Sequence, residues 1–180
     1  MLRKTYGLIM ELIREPEKAV KYSKESVHVP LLIWILASIF LLLPSAFIIP
    51  VIYMPNWTLI LPSVIFMGFI SLGGFWVYSW AVLVVAAKVA GYKEEPRQIF
   101  KIVGYSFGPM LFVSVATTVV ASFVYLMGYN LANFVIFFGS IILGFIGYLY
   151  VLAHSMKKMY GDETLFVIYF ALTLVLLFLR

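Results

Sequence analysis

Three stretches of this chain, 29–87, 102–153 and 164–179, hold no Asp, Glu, Lys, Arg or His. Uninterrupted runs of that length have few folded solutions. About 20 apolar residues in a helix cross about 30 Å of hydrocarbon, whereas a soluble fold built from 180 residues would leave broad apolar patches facing water. An apolar share of 64% and a charged share of 12% decide between the two, since a soluble domain carries about 45–50% and about 25%. The chain therefore reads as all-α, an integral membrane helical bundle.

Five apolar runs approach the spanning length: 30–49, 59–87, 109–127, 133–153 and 164–179. Pro44 should kink the first, and Pro50 and Pro55 mark its exit. The second is long enough to tilt or to continue past the membrane surface, and its Gly68, Gly73 and Gly74 permit close packing. The fifth is short. The first run starts behind a polar segment, 1–28, and exceeds the roughly 7–15 apolar residues of a signal peptide, so it reads as a retained anchor. The expected division is a cytoplasmic amphipathic segment, 1–28, followed by a five-span membrane domain, 29–180.

Lys and Arg collect in short cytoplasmic loops, and here they alternate with the spans. Arg3, Lys4, Arg14, Lys18, Lys21 and Lys24 precede the first; Lys88, Lys93, Arg97 and Lys101 lie between the second and third; Lys157 and Lys158 lie between the fourth and fifth. The turns around Asn56 and Asn130 carry no charge. An N-terminus in the cytoplasm and a C-terminus outside follow, with only Arg180 on the far side, in a cell membrane or, in a eukaryote, an endomembrane. The net charge of +5 is thus a topology signal, and nucleic acid is not an expected partner.

Two charged stretches are amphipathic. Leu8, Ile9, Leu12 and Ile13 recur at helical spacing before Pro16. Pro96 opens a second helix, 96–103, whose Ile99, Phe100, Ile102 and Val103 form an apolar face with Arg97 and Lys101 opposite; such helices lie in the interface plane.

Catalytic constellations are missing. Ionisable groups at membrane depth mark proton and ion pathways, and there are none. His28 and His154 have no neighbouring His to make a metal site, so His154 reads as an anchor at the end of the fourth span. Glu94 with Glu95, and Asp162 with Glu163, are adjacent pairs that point apart on a helix and read as solvated loop charge. Cysteine is absent, which removes disulfides and thiol nucleophiles. No enzyme activity, cofactor or metal is expected. Asn56-Trp57-Thr58 matches a glycosylation sequon, but the turn is too short and Trp57 reads as an interfacial anchor.

One polar feature lies within a span. Ser114, Thr118 and Ser122 recur every four residues with Thr117 beside them, a spacing that lets helices approach and hydrogen-bond; a path for a small solute is the alternative. Ser140, Gly144 and Gly147 make a weaker stripe in the fourth span. These stripes serve internal packing or a homo-oligomer equally well.

The segment 88–109, KVAGYKEEPRQIFKIVGYSFGP, combines a span exit, a glycine turn at Gly91, an amphipathic helix, and Gly104-Tyr105 followed by Pro109. Gly104 and Gly108 permit backbone angles closed to other residues, Pro109 suits the first turn of a helix, and Tyr105 would place its hydroxyl among headgroups. This segment resembles the Yip family, named for Ypt/Rab-interacting proteins, in which a glycine closes the second span and a GYxxxP-like motif leads into the third. Glu15-Pro16-Glu17-Lys18-Ala19 is similar to the family's proline-containing segment ahead of the first span. The resemblance implies five spans and a compact membrane protein of the prokaryotic type. The DLYGP-type motif and long N-terminal region of eukaryotic members, associated with Rab GTPases, are absent, so Rab binding is not implied. The expected function is a non-enzymatic adaptor or membrane-organising protein, meeting the lipid bilayer, anionic headgroups and a cytoplasmic or membrane protein partner at its cytoplasmic face.

Overall fold

The computed structural model describes residues 2–24, 27–43, 57–93, 95–128 and 130–178. The expected kink at Pro44, the exits at Pro50 and Pro55, the turn at Asn56, and Glu94 and Arg180 lie outside them. Among the described residues every regular element is a helix: α1 (Leu2–Arg14), α2 (Lys18–Tyr22), α3 (His28–Leu42), α4 (Trp57–Val89), α5 (Pro96–Ser106), α6 (Gly108–Leu126), α7 (Asn130–Tyr160) and α8 (Thr164–Phe178).

Among the described residues three segments are long and apolar enough to cross a membrane: Phe66–Val89, Pro96–Leu126 and Ala132–Tyr160. His28–Leu41 and Thr164–Thr173 are shorter apolar helices. At 1.5 Å per residue, the 33 residues of α4 reach about 50 Å, well beyond the hydrocarbon. The outer faces are apolar. On α7, Val135, Phe138, Ile142 and Ile146 form one exposed stripe at helical spacing, and Phe66, Ile70, Val77 and Val85 do the same on α4. Such stripes would be a liability in water and are what lipid requires.

The expected third span is built differently from its expected form. The helix expected at 96–103, lying in the membrane plane, extends to Ser106 and is nearly continuous with α6. Its apolar face meets protein: Ile99, Ile102 and Val103 are fully buried, and the helix packs against α2, α3, α4, α6 and α7. The N-terminal helix behaves likewise. Ile9 and Leu12 are buried, and α1 packs on α6 and α7. Periodicity shows that a helix has an apolar face but not whether lipid or protein covers it.

Two helix ends show why the chain turns where it does. At the end of α4 the Gly91 N–H bonds to the Lys88 carbonyl and the Tyr92 N–H to the Ala87 carbonyl, a Schellman closure that places Gly91 in the left-handed region, φ 75°. At the end of α7 the chain continues beyond the expected 153, through His154, Lys157 and Lys158, to Gly161, φ 86°. His154 is therefore within a helix and does not cap one. Its Nδ1 lies 2.9 Å from the Tyr150 carbonyl.

Candidate functional site

The segment 102–111 is buried without interruption, and it holds the GYSFGP motif. Gly104 and Gly108 have no positive φ, which corrects the backbone-angle reading: both are helical, and their role is close approach. A methyl group at Gly104 would lie 2.5 Å from Cζ2 of Trp76 and 2.7 Å from Cβ of Pro30. At Gly108 it would lie 3.5 Å from Leu12, so α1 rests on that glycine. Pro109 and Met110 in turn occupy the surfaces of Gly147 and Gly144, where an added methyl would be 2.6 Å and 3.1 Å from them. Small residues let helices approach when dispersion, not water, holds them.

Tyr105 also departs from its expected place. Its ring is fully buried, 6.1 Å from the Tyr22 ring, and its hydroxyl points to the Tyr22 carbonyl at 3.4 Å. The phenol therefore reaches the N-terminal segment instead of the headgroup layer. Ser155 holds the same segment further on, with its hydroxyl 3.1 Å from the Pro16 carbonyl.

Between α5 and α6 the helical bonding breaks at Phe107, because Pro109 has no N–H to continue it. The break drops the Phe107 ring into the core, 5.2 Å from Tyr148 and 6.1 Å from Trp76. Two tryptophans of α4 hold the α5 helix beside it. Trp76 Nε1 donates to the Phe100 carbonyl and Trp80 Nε1 to the Pro96 carbonyl, each at 2.9 Å. Trp76 also stacks on Phe100 at 4.8 Å. Neither tryptophan was singled out from the sequence, although two indoles four apart, ahead of a basic span end, would have been the signal.

The hydroxyl stripe of α6 is used within the bundle. Ser114, Thr117, Thr118 and Ser122 each donate to the carbonyl four residues earlier. Thr118 additionally lies 3.1 Å from the Phe40 carbonyl of α3, where α3 and α6 pack. A second hydroxyl contact, Ser79 with Tyr169 at 2.9 Å, joins α4 to α8 in the buried interior.

Charge gathers at one end of the bundle. Lys18 lies 3.5 Å from Glu11 and 3.2 Å from Glu15, and Glu11 also accepts from the Tyr22 hydroxyl. Lys157 pairs with Glu163 at 2.7 Å. Tyr92 donates to Asp162 at 2.5 Å, which ties the α4–α5 loop to the α7–α8 loop, and the other Asp162 oxygen accepts the Thr164 N–H at 2.9 Å.

These two bonds, Tyr92 first, hold the Asp162 carboxyl below the usual carboxylate range, and Asp162 holds the Tyr92 phenol above its usual value. A depressed Asp contributes stability above its unfolded value and loses it as pH falls through the folded one. A raised phenol keeps its contribution until pH climbs through the raised value. The tie is therefore intact at neutral and weakly acidic pH. In Tyr92→Phe the Asp162 titration, followed by NMR of the carboxyl, moves upward toward that of an ordinary aspartate; an unmoved titration would show that the tyrosine does not hold it.

Two adjoining clefts open at this end. One, of about 690 Å³, is lined by Ser23, Lys24, Glu95, Arg97, Gln98 and Lys101 among others. The second, of about 310 Å³, shares Lys24, Glu95 and Gln98 and adds Lys93 and Lys158. Four separate parts of the chain thus bring their cations together. Among the described residues no ion pair engages Lys24, Lys93, Arg97 or Lys158. Arg97 and Lys101 were named from the sequence as one face of a helix; their meeting with Lys24, Lys93 and Lys158 was not legible there. Among the described residues no group of three metal-ligating side chains occurs.

A family model for the Yip1 domain matches residues 10–179. No curated protein and no solved structure matches the chain.

Proposed function

The chain belongs to the Yip1 domain family, and from that membership and the geometry of its charged end we propose that it is a non-catalytic membrane adaptor that works through its cytoplasmic face. The observation that supports this reading is the segregation of charge. Every described Lys, Arg, Asp and Glu lies in or beside α1, α2, the α4–α5 loop, α5 or the α7–α8 junction, while the apolar lengths between them carry none. The apolar lengths thus offer no ionisable side chain for a proton relay or an ion-coupled site. What remains for specific recognition is the polar end, and the excess of Lys and Arg there supports a cytoplasmic side for it.

That end is suited to display. The α1 and α2 helices are held on the bundle by Leu12, Tyr105 and Ser155, so the residues they expose have fixed positions. A protein partner then meets an ordered surface, which lowers the ordering cost of binding. Glu17 and Lys157 stand exposed on that surface.

The reading is tested with photo-crosslinking residues placed at positions 17 and 157 of the full chain in native membranes, and at Val135 and Phe138 as lipid-facing references. The expected result is a reproducible protein neighbour from the first two positions and lipid alone from the others. Recovery of lipid alone from all four sites overturns the adaptor reading.

A further inference from the structure

The basic clefts do not end in water on all sides. An apolar groove of about 340 Å³ adjoins the larger one, with Pro96, Arg97 and Lys101 common to both walls. Beyond those shared residues the groove is lined by Val27, Trp80 and Phe100. The chemistry changes abruptly across the Arg97 and Lys101 pair, with cations from three further chain segments on one side and two aromatic rings and a valine on the other.

We propose that this junction is a binding site for an anionic phospholipid, with its phosphate-bearing headgroup in the basic cleft and the start of an acyl chain along the groove of Val27, Trp80 and Phe100. The proposal rests on the reading of this end as the cytoplasmic recognition face, and it names the ligand class of one part of it.

Three observations carry the assignment. The first is charge complementarity. Lys24, Lys93, Arg97, Lys101 and Lys158 surround the two clefts against the single described carboxylate of Glu95, and basic pockets between membrane helices suit anionic headgroups. An arginine offers a planar fork of donors that matches a phosphate.

The second is the groove itself. A free anion uses no apolar wall, whereas a diacyl lipid must lay its chain somewhere on leaving the headgroup. The Trp80 N–H is already bonded to the Pro96 carbonyl, so the indole presents apolar surface to the groove instead of an unmet donor. Phe100 is held edge-on to Trp80 at 6.0 Å and stacked on Trp76, which fixes the groove wall without needing the ligand.

The third is the spacing of Arg97 and Lys101. Four residues apart on α5, they share one face of that helix. Their long aliphatic stems can lie along the groove while the cationic ends reach the cleft. One pair of side chains thereby spans both halves of an amphipathic ligand.

The full chain is purified in a neutral detergent and binding is read by native mass spectrometry with added phosphatidylglycerol, phosphatidylcholine, a short-chain water-soluble phosphatidylglycerol, or inorganic phosphate. Long-chain phosphatidylglycerol is expected to be retained in preference to phosphatidylcholine, with the short-chain form weaker and phosphate failing to compete. Removing both cations in R97Q/K101Q weakens retention about 30-fold, whereas K21Q/K88Q, which removes the same charge from exposed positions outside the clefts, leaves it within about twofold of the unaltered protein. Val27→Ser weakens the long-chain lipid and not the short-chain one.

Equal losses in the two double variants, with both folded by circular dichroism, would reduce the effect to diffuse charge and overturn the site. Competition by inorganic phosphate would make it an anion site without a lipid. A positive lipid result with no protein crosslink from positions 17 and 157 sinks the adaptor reading alone, and the reverse sinks the lipid site alone.

Discussion

Alanine at position 104 lowers the melting temperature of the purified protein by roughly 2–10 °C, while alanine at position 74 leaves it unchanged or slightly higher. Both glycines lie within helices, so both substitutions gain the same backbone preference, about 0.5–1 kcal/mol. They differ in what the new methyl meets. Nothing lies within 4 Å at Gly74, whereas at Gly104 the methyl lands 2.5 Å from the Trp76 ring and 2.7 Å from the Pro30 ring. Neither neighbour is the loose end of a flexible chain. Overpacking of this kind costs about 1–3 kcal/mol or somewhat more, and about 2–4 °C accompanies each kcal/mol in a chain of this size. Thermal unfolding in detergent, followed by tryptophan fluorescence, measures the difference. Two equal shifts would mean that α5 is not seated on α4 and α3 as described.

Trp76→Ala is expected to be the more damaging change, at about 3–5 kcal/mol. The indole is 4% exposed and does three jobs: it stacks on Phe100, packs against Trp34 and Phe107, and donates to the Phe100 carbonyl. In a membrane the loss is chiefly of dispersion contacts, because lipid is as apolar as the site. The lower half of the range is accordingly expected. Trp76→Phe keeps much of the ring and forfeits the hydrogen bond, for a loss nearer 1 kcal/mol. It also removes the ring atoms that collide with a methyl at position 104. The double variant G104A/W76F should therefore be less destabilised than the sum of its parts. Strict additivity would remove the Trp76 contact as the cause of the first result.

The apolar lengths and the positions of the charges were legible because lipid imposes them on composition directly. Gly91 was legible for the same local reason: a helix that ends beside Tyr92 and Lys93 needs a residue at ease with positive φ. Gly104 and Gly108 were assigned the same property and turned out to serve the opposite end, since their backbone is ordinary and their missing side chains matter. That distinction depends on Trp76, Pro30 and Leu12, which are distant in the chain. Tyr105 was misplaced for a related reason, as an aromatic with a polar tip satisfies a headgroup layer and a buried carbonyl equally well. The basic clefts combine Lys24, Lys93, Arg97 and Lys158 from four segments, and one-dimensional patterning carries no record of such convergence.

The contact between Ser155 and Pro16 joins positions 139 apart in sequence, and Leu12 on Gly108 spans 96. A ribosome delivers the chain from its N-terminus, so α1 and α2 emerge long before the surfaces of α6 and α7 exist. During synthesis these two helices have no protein to cover Ile9 and Leu12, and their apolar faces are left to the membrane surface or a chaperone until α7 is complete. Two helices made well before the surfaces that cover them are thus among the last to reach their final place.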